Sequence, residues 1–404
     1  MDTPLKLACP PRTGLSAAYR AAPASAILFA AVMLLAGPGC APETPPPDAD
    51  SAADRRGAPD KSATTDPRIA KQTPGEISAL AYVTNEDSND LTVIGLPANE
   101  VVATIPVGKR PRGVQVSLDG RYVYVALSGS PKCPPTMPDA ECAELVTDKS
   151  ADGIAEVDAA SRKVKRVLPG GSDPEQFDID WETRRLYVSN EDSNEATIVD
   201  LESGEILHTV AVGREPEGVR LTPDGSRFYV TAETDHDVTV VDARNGEVLA
   251  KIEVGKRPRD VVFTPDGKRA FVSAEHGGAI SVIDVASSTR ETEIALAEGA
   301  LPMGLAIDAD AGRLYVANGR GKTVSAIDLD SLSVIESVEV GPRPWGIALS
   351  PDGRWLYSAN GPSDDVSVVD TSSFEIVARI PAGETPWGVA IGPSPPGTAE
   401  PRSN

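Results

Sequence analysis

The residues able to do chemistry lie at fixed places in a recurring segment, VGxxP and its variants. The residue after the proline is, in chain order, Arg112, Glu175, Glu217, Arg259, Met303, Trp345 and Trp387. A second series follows a YVSN-like segment: Glu86, Glu191, Glu233 and Glu275, with Gly319 and Gly361 in the same place further on. Guanidiniums, carboxylates and two indoles gathered at one mouth would suit a ligand or protein segment with a flat apolar part and a polar part. The same groups could equally form a self-satisfied collar, with Arg–Glu pairs linking neighbours and Trp closing a channel. His236 and His276 stand beside Glu233, Asp235 and Glu275, a donor set that could ligate a divalent metal, although nothing in the spacing demands it. His208 sits in a strand-like run, EILHTVAV, and reads as structural. No GxSxG, HExxH or phosphate-binding glycine loop occurs, so no catalytic residue and no cofactor is expected. Carboxylates at a mouth still leave a hydrolase or lyase as an alternative.

These positions need a scaffold that repeats them. Residues 184–225 and 226–267 are successive 42-residue units with shared landmarks, and the frame extends to copies at 79–120, 121–183, 268–311, 312–353 and 354–395. Each copy reads as four short strands: RLYVSN alternates with period two, ATIVD is β-branched, and EILHTVAV and GVRLTP complete the set. ESG, RNG and TPDG supply the turns. Such a period, with no helical pattern, predicts an all-β, seven-bladed β-propeller of four-stranded antiparallel blades. The first copy lacks an inner strand and the last ends with a spare one. Residues 387–393 should therefore pair with 80–85 and close the ring. The loops after the second and fourth strands share one face, which also carries an insertion at about 128–152.

Ahead of the propeller (79–395), Arg12 and Arg20 precede the apolar run AILFAAVMLLA and then GPGC. This reads as a signal segment at 1–39, too short to span a bilayer comfortably. It resembles a bacterial lipoprotein leader with Cys40 as the lipidation site. Gly37 and Pro38 depart from the Leu-like and small residues of that pattern, so ordinary cleavage or a retained anchor stays open. Residues 40–78 are poor in large apolar side chains and read as a disordered tether with a reach of roughly 30–35 Å; 396–404 read as a disordered tail. Cys133 and Cys142, both within the insertion, are expected to pair in an oxidising compartment. With 38 basic against 60 acidic residues, the chain is a poor partner for nucleic acid or anionic lipid. Any membrane contact is expected through the N-terminal lipid only.

The segments AYVTN, LYVSN, FYVTA, FVSAE and LYVAN, each followed by VGxxPxG, resemble the YVTN-repeat β-propellers over 79–395. NEDSN at 85–89 and 190–194, ALSGSP, ADGIAEVD, GGSDPEQFD and the two GKRPR segments resemble the seven-repeat propeller associated with pyrroloquinoline quinone (PQQ)-dependent catabolism of alcohols. That resemblance implies a periplasmic accessory protein of PQQ-linked alcohol oxidation; with the residues it gives a non-enzymatic binding or scaffold protein, expected to be a monomer. The partner it implies is a quinoprotein dehydrogenase, a cytochrome or an ABC-transport component. A small-molecule binder for a quinone or an alcohol product, and a lactonase-type hydrolase, are the alternatives.

Overall fold

A computed structural model of the chain describes residues 78–132, 137, 141 and 145–396. Cys40, Cys133 and Cys142, the leader, most of the tether and nearly all of the tail lie outside the described residues. No helix among the described residues is long and apolar enough to cross a membrane.

The strands form seven antiparallel four-stranded sheets. Blade 1 is assembled from both ends of the propeller: β1 (Ala79–Asn85), β2 (Asp90–Leu96) and β3 (Glu100–Pro106) are joined by β28 (Pro386–Pro393). The following blades hold β4–β7 (114–168), β8–β11 (174–211), β12–β15 (216–253), β16–β19 (258–295), β20–β23 (302–339) and β24–β27 (344–381). In the closing pair Leu80 faces Gly392, Tyr82 faces Ala390 and Asn85 faces Pro386, as the phase of the repeat requires. A ring closed in this way leaves no spare inner strand.

The core is a set of seams between blades. Seven apolar clusters each combine side chains of two neighbouring blades, as where Tyr82, Leu91 and Val93 meet Val123, Val125 and Ala155. Second and third strands are therefore buried on both faces, while fourth strands stay largely exposed. Tyr82, Tyr187, Tyr229, Tyr315 and Tyr357 are fully buried in these seams.

The polar end of the YVTN segment has its own structural work. The Thr84 hydroxyl donates to the Arg112 carbonyl of the next blade at 2.7 Å, and Ser273 to that of Met303 at 2.6 Å. Ser189 donates likewise to the Glu217 carbonyl and Thr231 to that of Arg259 at 3.3 Å. The Asn amide turns inward: Asn85 donates to Asp90 at 2.7 Å and Thr92 at 2.9 Å, and Asn360 to Asp365 and Ser367 at the same distances. The most recognisable part of the sequence thus fixes the ring and leaves function to other positions.

Candidate functional site

At one end of the ring, seven turns deliver the chain into the inner strands. The residue before the proline is left-handed in every blade: Arg110, Asp173, Glu215, Arg257, Leu301, Arg343 and Thr385 have φ between 42° and 58°. A non-glycine residue holds that conformation only when its surroundings insist. In five blades the loop after the second strand supplies an acceptor for its N–H. Asn89 Oδ1 takes the Arg110 N–H at 3.0 Å, Asn194 that of Glu215 at 3.1 Å and Asp364 that of Thr385 at 2.9 Å. His236 occupies the same place, its Nδ1 3.2 Å from the Arg257 nitrogen and 2.9 Å from the Glu233 carbonyl. Its role is that of the asparagines. The kink brings residues on both sides of the proline to the mouth, so Arg110, Asp173, Arg257 and Arg343 belong to the site beside the seven read from sequence. Only their place before a proline could have signalled them.

The first half of the mouth is ionic. Arg112, buried, ion-pairs with Glu175 and lies 3.6 Å from Glu86 and 3.5 Å from both Asp173 and Glu191. Arg259, also buried, ion-pairs with Glu217, Glu233 and Glu275, the last at 2.8 Å, and Arg257 adds pairs to Glu233 and Glu275. Burial alone would weaken the charge of Arg259, but Glu217, Glu233 and Glu275 outweigh it and raise its pKa. Burial opposes the Glu86 carboxylate too, yet Arg112, Lys132 and Arg110 hold its pKa below the ordinary value. Two carboxyls go the other way. Desolvation and then the charge of Glu217 push Glu191 up to about 7 and Glu233 up to about 8, against the pull of Arg112 and Arg259 respectively. Glu233 also hydrogen-bonds Glu217. Carboxylates outnumber guanidiniums here, and the excess is relieved by holding protons.

The insertion is tied down over this ionic half. Lys132 reaches Glu86 at 2.7 Å and Asp87 at 2.6 Å, Arg110 donates to the Ser130 carbonyl, and Lys149 pairs with Asp192. The Gly129 N–H donates to Asp152 at 2.6 Å, whose other oxygen accepts the Asp173 N–H at 3.1 Å.

Metal-ligand geometry is sparse. Among the described residues the one group of carboxylates or histidines close enough to share an ion is Asp173, Glu175 and Glu191. The Arg112 guanidinium already stands among these three as their cation. Glu233, Asp235, His236, Glu275 and His276 are not brought together as one ligand set. Asp235 instead pairs with Arg214 at 2.7 Å, and His276 is exposed.

The second half of the mouth is aromatic. Trp345 and Trp387 stack with centroids 5.6 Å apart and planes at 24°. The Arg343 guanidinium lies 4.8 Å from the Trp345 ring centre, and that of Arg259 lies 5.8 Å away. Met303 and Trp387 are buried and Trp345 is half-buried. Gly319 and Gly361 replace the second-ring glutamates in the blades of Met303 and Trp345, whereas the blade of Trp387 keeps Glu86. A Cβ on Gly319 would come 3.0 Å from Met303 Cγ, and one on Gly361 3.7 Å from Trp345 Cδ1. Below lies a cavity of about 310 Å³ along the ring axis, lined by Trp345, Trp387, Met303, Ile347, Glu217 and Arg259 among others. Glu191 and Glu233, the carboxyls holding protons near neutrality, do not line it.

The model of the YNCE-like beta-propeller matches residues 138–394, from the insertion to the closing strand. The chain belongs to the YNCE-like beta-propeller family. No curated protein matches it. Among solved structures, this YNCE-like propeller is similar to Kuenenia stuttgartiensis hydrazine synthase, at 20% identity and TM-score 0.62 over 76% of this chain and 98% of that one. A proposed 6-phosphogluconolactonase from Bacteroides fragilis aligns at 15% identity and TM-score 0.64 over 79% and 99% of the two chains. A protein of unknown function from Desulfotomaculum acetoxidans aligns at 16% and 0.63, over 78% and 98%. Likeness at these identities establishes the fold alone.

Proposed function

We propose that this YNCE-like propeller is a non-enzymatic binding or scaffold protein working in the periplasm. It is held at a membrane by a lipid on Cys40 and is accessory to PQQ-dependent alcohol oxidation. The observation that carries the binding reading is the division of the mouth. Its ionic half is satisfied from within, whereas its aromatic half presents the stacked Trp345 and Trp387, with Gly319 and Gly361 in place of glutamates in two blades. Glu191 and Glu233 are closed by arginines and stand away from the cavity. Asp260 lines it with a pKa raised by burial, but spends both oxygens on the N–H groups of Val261 and Leu305. Both observations argue against hydrolase or lyase chemistry. The loop resemblances NEDSN, GGSDPEQFD and GKRPR support the pathway, and the partner is then a quinoprotein dehydrogenase, cytochrome or ABC-transport component.

The full-length chain and its Trp345→Ala variant, used as matched baits in periplasmic extract of alcohol-grown cells, test this. Wild type should capture a member of those three classes and the variant should lose it. Equal capture by both baits, or capture of none of the three, removes the proposal. A second reading, a small-molecule binder, is favoured by the cavity beneath the Trp pair, whose volume falls at the lower end for ligand pockets.

A further inference from the structure

The aromatic arc carries cations with no carboxylate within ion-pair distance, Glu275 and Glu86 acting on Arg343 only from further off. Every arginine of the ionic half has carboxylate partners within ion-pair distance. Arg320 and Arg343, at the exposed edge of the aromatic half, form no ion pair among the described residues. On a chain of net charge −22, two unpaired arginines at one place ask for a reason. The glycines supply part of it. Where four of the other five blades carry Glu86, Glu191, Glu233 and Glu275, these two blades carry Gly319 and Gly361, so they supply no second-ring acid of their own to the arginines.

The geometry supplies the rest. A guanidinium stacked on an indole keeps its N–H edge free for a bidentate carboxylate. The Arg343 guanidinium lies over Trp345, 4.8 Å from its ring centre. Partial desolvation lowers its pKa, and Arg259 and Arg320 add to this against the pull of Glu275, so an anion at this point would relieve like-charge repulsion. The cavity beside it is apolar on the Met303, Ile347, Trp345 and Trp387 side and, at about 310 Å³, has room for one or two fused rings.

We propose that the arc is a site for a small planar aromatic carboxylate, its ring against Trp345 and Trp387 and its carboxylate on Arg343 and Arg320. This rests on the small-molecule reading of the mouth, and the class of ligand is what it adds.

Calorimetric titration of the full-length chain with 2-naphthoate, 2-naphthalenemethanol and acetate tests it. Naphthoate should bind at least tenfold tighter than the alcohol or acetate, tenfold being about 1.4 kcal/mol. Arg343→Gln should remove that advantage while leaving the alcohol's weak binding as it was, and Trp345→Ala should weaken both aromatic probes. Arg343 is exposed, so its variant should keep the wild-type melting temperature. Equal binding of naphthoate and the alcohol, naphthoate binding unchanged in Arg343→Gln, or no binding of naphthoate would each overturn the proposal. Loss of the partner on Trp345→Ala in the capture experiment, with no naphthoate binding, would leave the scaffold reading standing and remove this one.

Discussion

Glu191 and Glu233 show how a crowded collar manages charge. Both lie near Glu217, and their pKa values of about 7 and about 8 stand above the ordinary 4.5. Between the ordinary value and these raised ones, the folded protein holds protons that the unfolded chain has released, so stability falls as pH rises through that window. The melting temperature should therefore drop from about pH 5.5 to about pH 8.5, and Glu233→Gln, which fixes the neutral form, should flatten the drop. Parallel curves for the two proteins would show that Glu233 is charged throughout. Glu275, on the same Arg259, has the opposite sign: its lowered pKa gives stability that is lost only in acid, as pH falls through that pKa.

Among the strands, the inner ones set the tolerance of the ring. The second residue after the proline is glycine in five blades, Gly113, Gly218, Gly304, Gly346 and Gly388, because the next inner strand lies against it. At Gly388, in the strand that closes the ring, an added Cβ would stand 2.6 Å from the Arg112 carbonyl and 3.0 Å from Thr84 Oγ1. Gly388→Val should cost about 1–3 kcal/mol in urea unfolding by overpacking. Gly361→Ala, whose nearest neighbour would be 3.5 Å away, should change little. Comparable losses in the two variants would mean that blade spacing is not what selects these glycines. The remaining two blades carry Gln176 and Asp260 there. The Asp260 carboxylate accepts the N–H of Val261 at 2.8 Å and of Leu305 at 2.9 Å, tying its strand to the next blade.

For the molecule as a whole, the fold was legible because a ring of like blades must repeat its landmarks, and the closing register followed from strand phase alone. The site was legible in part. Positions after the proline were found because they enter a regular strand. Arg110, Asp173, Arg257 and Arg343 were not, since a left-handed residue before proline runs against local preference, and at the first three it is held by a hydrogen bond from its N–H to the neighbouring loop. For the same reason His236 read as a possible ligand, although it does an asparagine's work. The collar and the binding mouth, alternatives in the sequence, are each proposed for one half of the same ring. That division is the central claim, and urea unfolding of two variants measures it. Arg259→Ala, leaving buried carboxylates without their cation, should cost about 3–5 kcal/mol. Trp345→Ala, losing half-buried packing as well as its stacking with Trp387, should cost less, about 1.5–2.5 kcal/mol. If Trp345→Ala costs as much as Arg259→Ala, the aromatic half is as structural as the ionic one, and the mouth is a collar throughout.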